Sequence, residues 1–159
     1  EFVMQFVGEY KGKKTKSVND DDALPESDEE KKQAEQKAAD NKEVLDFVKE
    51  TLGGKIKEAR ISRILKSHAC CLTAEGGVSI EMEKYMRKQG GELADFEGEH
   101  VLELNADSSA FAAMKNAMST DKELAAKYAK ILYDQALLIA GLPLEDPSEY
   151  SDLVCSLMK

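Results

Sequence analysis

Asp121-Lys-Glu-Leu-Ala-Ala-Lys-Tyr-Ala-Lys-Ile-Leu-Tyr-Asp-Gln-Ala-Leu-Leu-Ile-Ala140 carries two apolar stripes where an ordinary surface helix carries one. Leu124, Tyr128, Ile131, Leu132, Leu138 and Ile139 follow the first stripe, and Ala129, Tyr133, Ala136, Leu137 and Ala140 follow the second. Both sides of such a helix need cover. Either it lies at the centre of a single-chain core, or one side packs within its own chain and the other against a second copy. The next helix bears on the choice. Asp146-Pro147 places a capping aspartate and a first-turn proline at its start, and Tyr150, Leu153, Val154, Leu157 and Met158 give it an apolar stripe of its own. The rest of the chain supplies only a small sheet and one long, half-polar helix as cover. Two such helices packed on their symmetry copies form a four-helix bundle at a two-fold axis.

Upstream of this pair, Ser27-Asp-Glu-Glu30 is a helix-start signature, because the serine caps the free amide of Glu30 while that glutamate reaches back. The helix it opens turns amphipathic through Val44, Leu45, Val48 and Leu52 and stops at Gly53-Gly54. From Ile56 apolar and polar residues alternate, with Ala59, Ile61 and Leu65 on one face, which predicts a half-buried strand. Ala69 to Thr73 predicts a second strand, followed by a turn at Glu75-Gly-Gly77. Val78, Met82, Tyr85, Met86 and Gln89 then mark a helix closed by Gly90-Gly91. Val101 to Leu104 predicts the third strand, and Phe111, Met114 and Met118 a brief helix. The order is helix, two strands, helix, strand, three helices. That order is an α+β fold with a small three-stranded sheet packed with helices.

The first residues differ in kind. Val3, Phe6, Val7 and Tyr10 stand at helical spacing, in a stripe too short to be stable alone, so it finishes something larger. Asp20 to Glu30 then holds seven acidic residues and no basic one, the composition of a solvated linker. Three units follow from this: 1–18, a 19–29 linker, and a 30–159 domain. A chain beginning at Glu1, with no basic and apolar leader, reads as a fragment with nothing marking it as secreted.

Charge and motifs exclude several functions. With 22 basic and 31 acidic side chains the formal charge is −9, which repels a phosphate backbone, so nucleic acid is not an expected partner. The longest apolar runs, such as Ala136 to Ala140, fall far short of the roughly 20 residues that span a bilayer. No phosphate loop, nucleophile elbow or zincin pair occurs, and the paired glycines only end helices and strands. The three cysteines, including the adjacent Cys70 and Cys71, suit a reducing compartment and hence the cytoplasm. His68 beside them raises two alternatives. A zinc site lacks a second well-spaced ligand pair, since Cys155 and His100 do not provide one, so no metal is expected. A small cytosolic thiol enzyme using His68 with Cys70 or Cys71 remains the competing function, against small apolar thiols in a strand.

Several segments, in order, resemble the heat-shock protein 90 family in its bacterial form. Leu132-Tyr-Asp-Gln-Ala-Leu-Leu138 and Gly141-Leu-Pro-Leu-Glu-Asp-Pro147 look like the end of the family's chain. Glu1-Phe-Val-Met-Gln5 with Gly12-Lys-Lys resembles the end of its middle domain, Ile61-Ser-Arg-Ile-Leu65 with Cys71-Leu its first strand pair, and Val101-Leu-Glu-Leu-Asn105 its third strand. The chain stops at Lys159 without the acidic pentapeptide of cytosolic eukaryotic members, in keeping with a bacterial origin. One departure is Ala106-Asp-Ser-Ser109, where the family usually has Pro-Asp-His-Pro, which predicts a less rigid turn.

The resemblance implies that residues 1–18 end a middle domain and that 30–159 is a C-terminal dimerisation domain. It implies a homodimer within an ATP-hydrolysing chaperone of the stress response, whose ATP and magnesium bind outside this chain. Leu132, Leu137, Leu138, Ile139, Leu142, Tyr150, Leu153, Val154 and Leu157 are the expected dimer residues. An amphipathic helix at Val78 to Lys88 is the expected contact for unfolded or partly folded client proteins, through Val78, Met82, Tyr85 and Met86. Methionine is flexible and polarizable, so a stripe of it adapts to many unfolded segments. No catalytic residue and no cofactor is expected within the chain itself.

Overall fold

The computed structural model describes residues 9–10, 13–14, 35–75, 78–91 and 96–158. A mixed sheet lies at the centre, built from β3 (Glu58–Ile61), β4 (Cys70–Glu75) and β5 (Glu99–Leu104), with β5 in the middle. β3 runs parallel to β5 with Ala59 opposite Leu102, and β4 runs antiparallel with Leu72 opposite the same residue. A central strand is covered on both faces, and His100, Val101, Leu102, Glu103 and Leu104 are all buried. The alternating strand after Ile56 is shorter than expected. Ser62 still donates its N–H to Leu104 O, but its hydroxyl turns to the Glu103 carboxylate at 2.7 Å, and Leu65 lies beyond the strand.

The helix leading into the sheet is broken in two. Residues 35–40 are helical, Asn41 is a turn, and α1 (Lys42–Leu52) follows. A single helix was the expectation. Asn41 interrupts it by bonding locally, as asparagine does: its side-chain amide donates to Lys37 O at 2.7 Å and its oxygen accepts from Lys115 Nζ at 2.6 Å. Val44, Val48 and Leu52, one turn apart, then face the core. Gly53 takes a positive φ of 58°, and one 3-10 turn (Gly53–Lys55) precedes the buried Ile56.

After β4 comes α2 (Ile80–Gln89), and after β5 come α3 (Ser109–Thr120), α4 (Lys122–Ala140) and α5 (Pro147–Ser156). Val78 is not on α2. Ser79 is its N-cap, accepting from Met82 N, so Val78 precedes the helix. The brief helix expected around Phe111 is twelve residues long, since its alanines favour helix throughout and Phe111, Met114 and Ala117 anchor one face. Its entry turn is tied rather than loose. Asn105 accepts from Asp107 N and donates to Lys66 O and His68 O, while Ser108 caps Phe111 N, so side-chain bonds stand in for the absent prolines.

Tyr10, expected on a helical stripe, lies instead in a two-residue strand, β1 (Glu9–Tyr10), pairing antiparallel with β2 (Lys13–Lys14). Pairing across so short a connection satisfies backbone groups that one helical turn would leave open. Val3, Phe6 and Val7, the acidic stretch Asp20 to Glu30 with its Ser27 signature, and Gly76-Gly77 lie outside the described residues.

Candidate functional site

α4 is set by its ends. Asp121 caps it by accepting from Leu124 N at 3.0 Å. At the other end Gly141 is left-handed (φ 74°), with its N–H on Leu138 O and the Leu142 N–H on Leu137 O. This is a Schellman closure, completed by burial of both Leu137 and Leu142. The second stripe, through Ala129, Tyr133, Ala136 and Leu137, is buried against β4 and α1. The first stripe divides: Ile131 and Leu132 are buried, Leu124 and Tyr128 half-buried, yet Leu138 and Ile139 are 50% and 58% exposed. α3 packs along α4, and the open stretch lies at the end near α5.

Asp146 caps α5 through Ser148 N and Glu149 N, both at 2.9 Å, with Pro147 in its first turn, as the sequence predicts. α5 packs on α4 and is pinned by Lys130–Glu149 at 2.7 Å, yet none of its residues is buried. Tyr150, Leu153, Val154 and Leu157 are half-buried, and Met158 is exposed. Of the nine residues expected at a dimer seam, Leu132, Leu137 and Leu142 belong to the protomer's own core, and the other six retain accessible surface.

On α2, Met82 and Met86 are half-buried and Tyr85 is half-exposed; Val78, ahead of the helix, is half-buried. The helix does not turn its methionines fully inward. Its one buried residue is Glu83, expected from its charge to be solvated. The carboxylate lies 2.7 Å from His100 Nε2 and accepts from Arg87 Nε at 3.1 Å. Sequence reading missed this group because spacing alone shows only an ordinary i,i+4 Glu–Arg pair; that His100 faces it follows from β5 being central.

The thiols are poor nucleophiles. Cys70 is buried, donating to Leu132 O at 3.1 Å, and burial pushes its pKa up to about 11. Burial, and then the Glu103 charge 3.9 Å away, push Cys71 up to about 12. Both are protonated at neutral pH, and their hydrogen bonds run to Leu132 and Glu103 rather than to the exposed His68. The thiol-enzyme alternative therefore lacks an activated nucleophile. Ellman's reagent at pH 7.5 is expected to label the exposed Cys155 first and Cys70 and Cys71 at least about 100-fold more slowly. Fast labelling of Cys70 or Cys71 in the folded chain would restore that alternative.

Comparison with known proteins shows the family. The family model described as Hsp90 protein matches residues 1–159. The chain is 43% identical over 159 residues, all of its length, to the chaperone protein HtpG of Clostridium acetobutylicum. Over 158 residues it is 42% identical to that of Halalkalibacterium halodurans and 39% to that of Bacillus subtilis, covering 99% of the chain in each. It spans about a quarter of the length of these relatives, 25% in each case. Matched by the family model from its first residue to its last, the chain belongs to the Hsp90 family, in its bacterial HtpG type.

Proposed function

We propose that this chain is the dimerisation and client-contact module of an ATP-dependent cytoplasmic chaperone that serves protein folding under stress. Residues 1–18 end the middle domain, 19–29 link, and 30–159 form the dimerisation domain. The observation that carries the reading is the apolar surface left open on the last two helices: Leu138 and Ile139 on α4, and an α5 with no buried residue. Against a two-fold copy these faces would close a four-helix bundle, with Leu138, Ile139, Tyr150, Leu153, Val154 and Leu157 at the seam. ATP and magnesium would bind upstream in the parent. A seam here makes the meeting of the distant ATPase domains intramolecular, which favours closure through effective concentration without any new contact.

Light scattering tests the reading directly. The chain is expected to show twice its 17.6 kDa mass at micromolar concentration; a mass of 17.6 kDa throughout that range overturns it. Neither nucleic acid nor a bilayer is a partner in this reading. The net charge of −9 opposes the first, and among the described residues no helix is long and apolar enough to cross the second.

Clients would meet Met82, Tyr85 and Met86 on α2, with Val78 beside them. Met82→Ser with Met86→Ser is expected to weaken suppression of client aggregation by the full-length chaperone while dimer mass is unchanged. Each methionine is only half-buried, so the stability cost is about 1 kcal/mol apiece or less. A fall of ~2 kcal/mol or more at each site, read from thermal melts, would mean that the stripe is core and not a contact surface.

A further inference from the structure

We propose that Glu83, His100 and Arg87 form a latch that docks α2 on β5 and so sets how much of its apolar stripe is offered to a partner; only this last clause rests on the client-contact reading above. Most helices are held by apolar side chains. α2 has few deep anchors: Glu83 is its one buried residue, and no helix or strand among the described residues, β5 included, packs broadly against it. Ile80, itself only partly buried, packs against the core.

The seat for that carboxylate is built from three sides. His100 Nε2, on the central strand, lies 2.7 Å from one oxygen, and Arg87 Nε donates to the other at 3.1 Å. Arg87 is itself oriented by Glu97 at 3.5 Å. The third side is Gly98, where an added Cβ would lie 3.0 Å from Glu83 Oε2, so a larger residue would crowd the carboxylate. Nearby, Lys84 approaches the C-terminal end of α4, its Nζ 3.5 Å from where a Cβ would stand on Gly141. α2 thus spans from the sheet to the helix proposed to form the dimer seam.

A buried ion pair adds little beyond what apolar residues of the same size would add, but a buried carboxylate that loses a partner must reach water. Glu83 can do so only if α2 moves off β5. The helix therefore has a docked state, with the inner sides of Ile80, Met82 and Met86 covered, and an undocked state in which they are open. The partner suited to the undocked face is an apolar, unfolded segment.

Hydrogen exchange on this chain separates the latch from ordinary packing. His100→Leu, which leaves Glu83 Oε2 facing an apolar side chain with only Arg87 on the other oxygen, is expected to speed exchange of residues 80–89 about tenfold or more while α4 amides stay as protected as in the wild type. Glu83→Met with His100→Leu restores docking through apolar contact, so exchange returns to within about threefold of the wild type. Three results overturn the latch: α2 protection unchanged in His100→Leu, α4 loosened as much as α2, or a double variant as open as the single one. Capture of a reduced, carboxymethylated protein is then measured for His100→Leu with and without Met82→Ser and Met86→Ser. Enhanced capture that the serines abolish supports both ideas. If exchange behaves as stated but the serines change nothing, the client reading falls and the latch stands.

Discussion

Leu138→Asp is expected to convert the proposed dimer to monomers while leaving each protomer folded. Leu138 is half-exposed in the protomer and its neighbour Ile139 more so, so a carboxylate there costs the fold under about 1 kcal/mol. In an apolar seam the same carboxylate has no partner. Desolvating it costs about 4 kcal/mol, which raises Kd roughly a thousandfold. Two-fold symmetry brings two such charges into one interface and adds repulsion. Leu157→Asp on α5 should act in the same direction from the facing helix. Light scattering reads the mass and a thermal melt reads the fold, with Tm within about 4 °C of the wild type. A variant that stays dimeric places the seam elsewhere.

One residue earlier, the same substitution should destroy the protomer. Leu137 is 4% exposed and meets Leu142 in the closure of α4, on the side turned toward β4 and α1. An aspartate there is shut off from solvent. The expected loss is about 5 kcal/mol or more, as much as the whole stability of many domains. Leu137→Asp is therefore expected to show no cooperative melt by circular dichroism near room temperature. A melt within about 5 °C of the wild type would mean that the α4–sheet contact is not the core. The pair of variants differs by about 100° around one helix, so opposite outcomes locate the boundary between the chain's own core and its open face.

Much of this arrangement was legible in residue order. The cap at Asp146, the stop at Gly53 and the element order through three strands were read from short-range chemistry, and the structure has them there. The two-sided apolarity of α4 was legible as well. Its meaning was not, because periodicity reports that a face is apolar and not what lies against it. Leu132 and Leu138 share a stripe, yet one is core and the other open, since α3 and the sheet cover only part of α4's length.

Glu83 shows the same limit from the polar side. Its charge and its Arg87 neighbour mark a solvated helix face in any local reading, and the helix that holds it was recognised from its methionines. Burial of that carboxylate depends on His100, seventeen residues away, standing on a strand that pairs with both others. The break at Asn41 has a distant part as well: beside its local bond to Lys37 O, its side-chain oxygen is held by Lys115 of α3. Caps, stripes and turns arise among residues a few positions apart, so the sequence alone determined them. Strand order, the side of α4 left open and the seat of Glu83 are contacts between distant segments, whose energies exist only once the chain has closed on itself; those the tertiary structure decided.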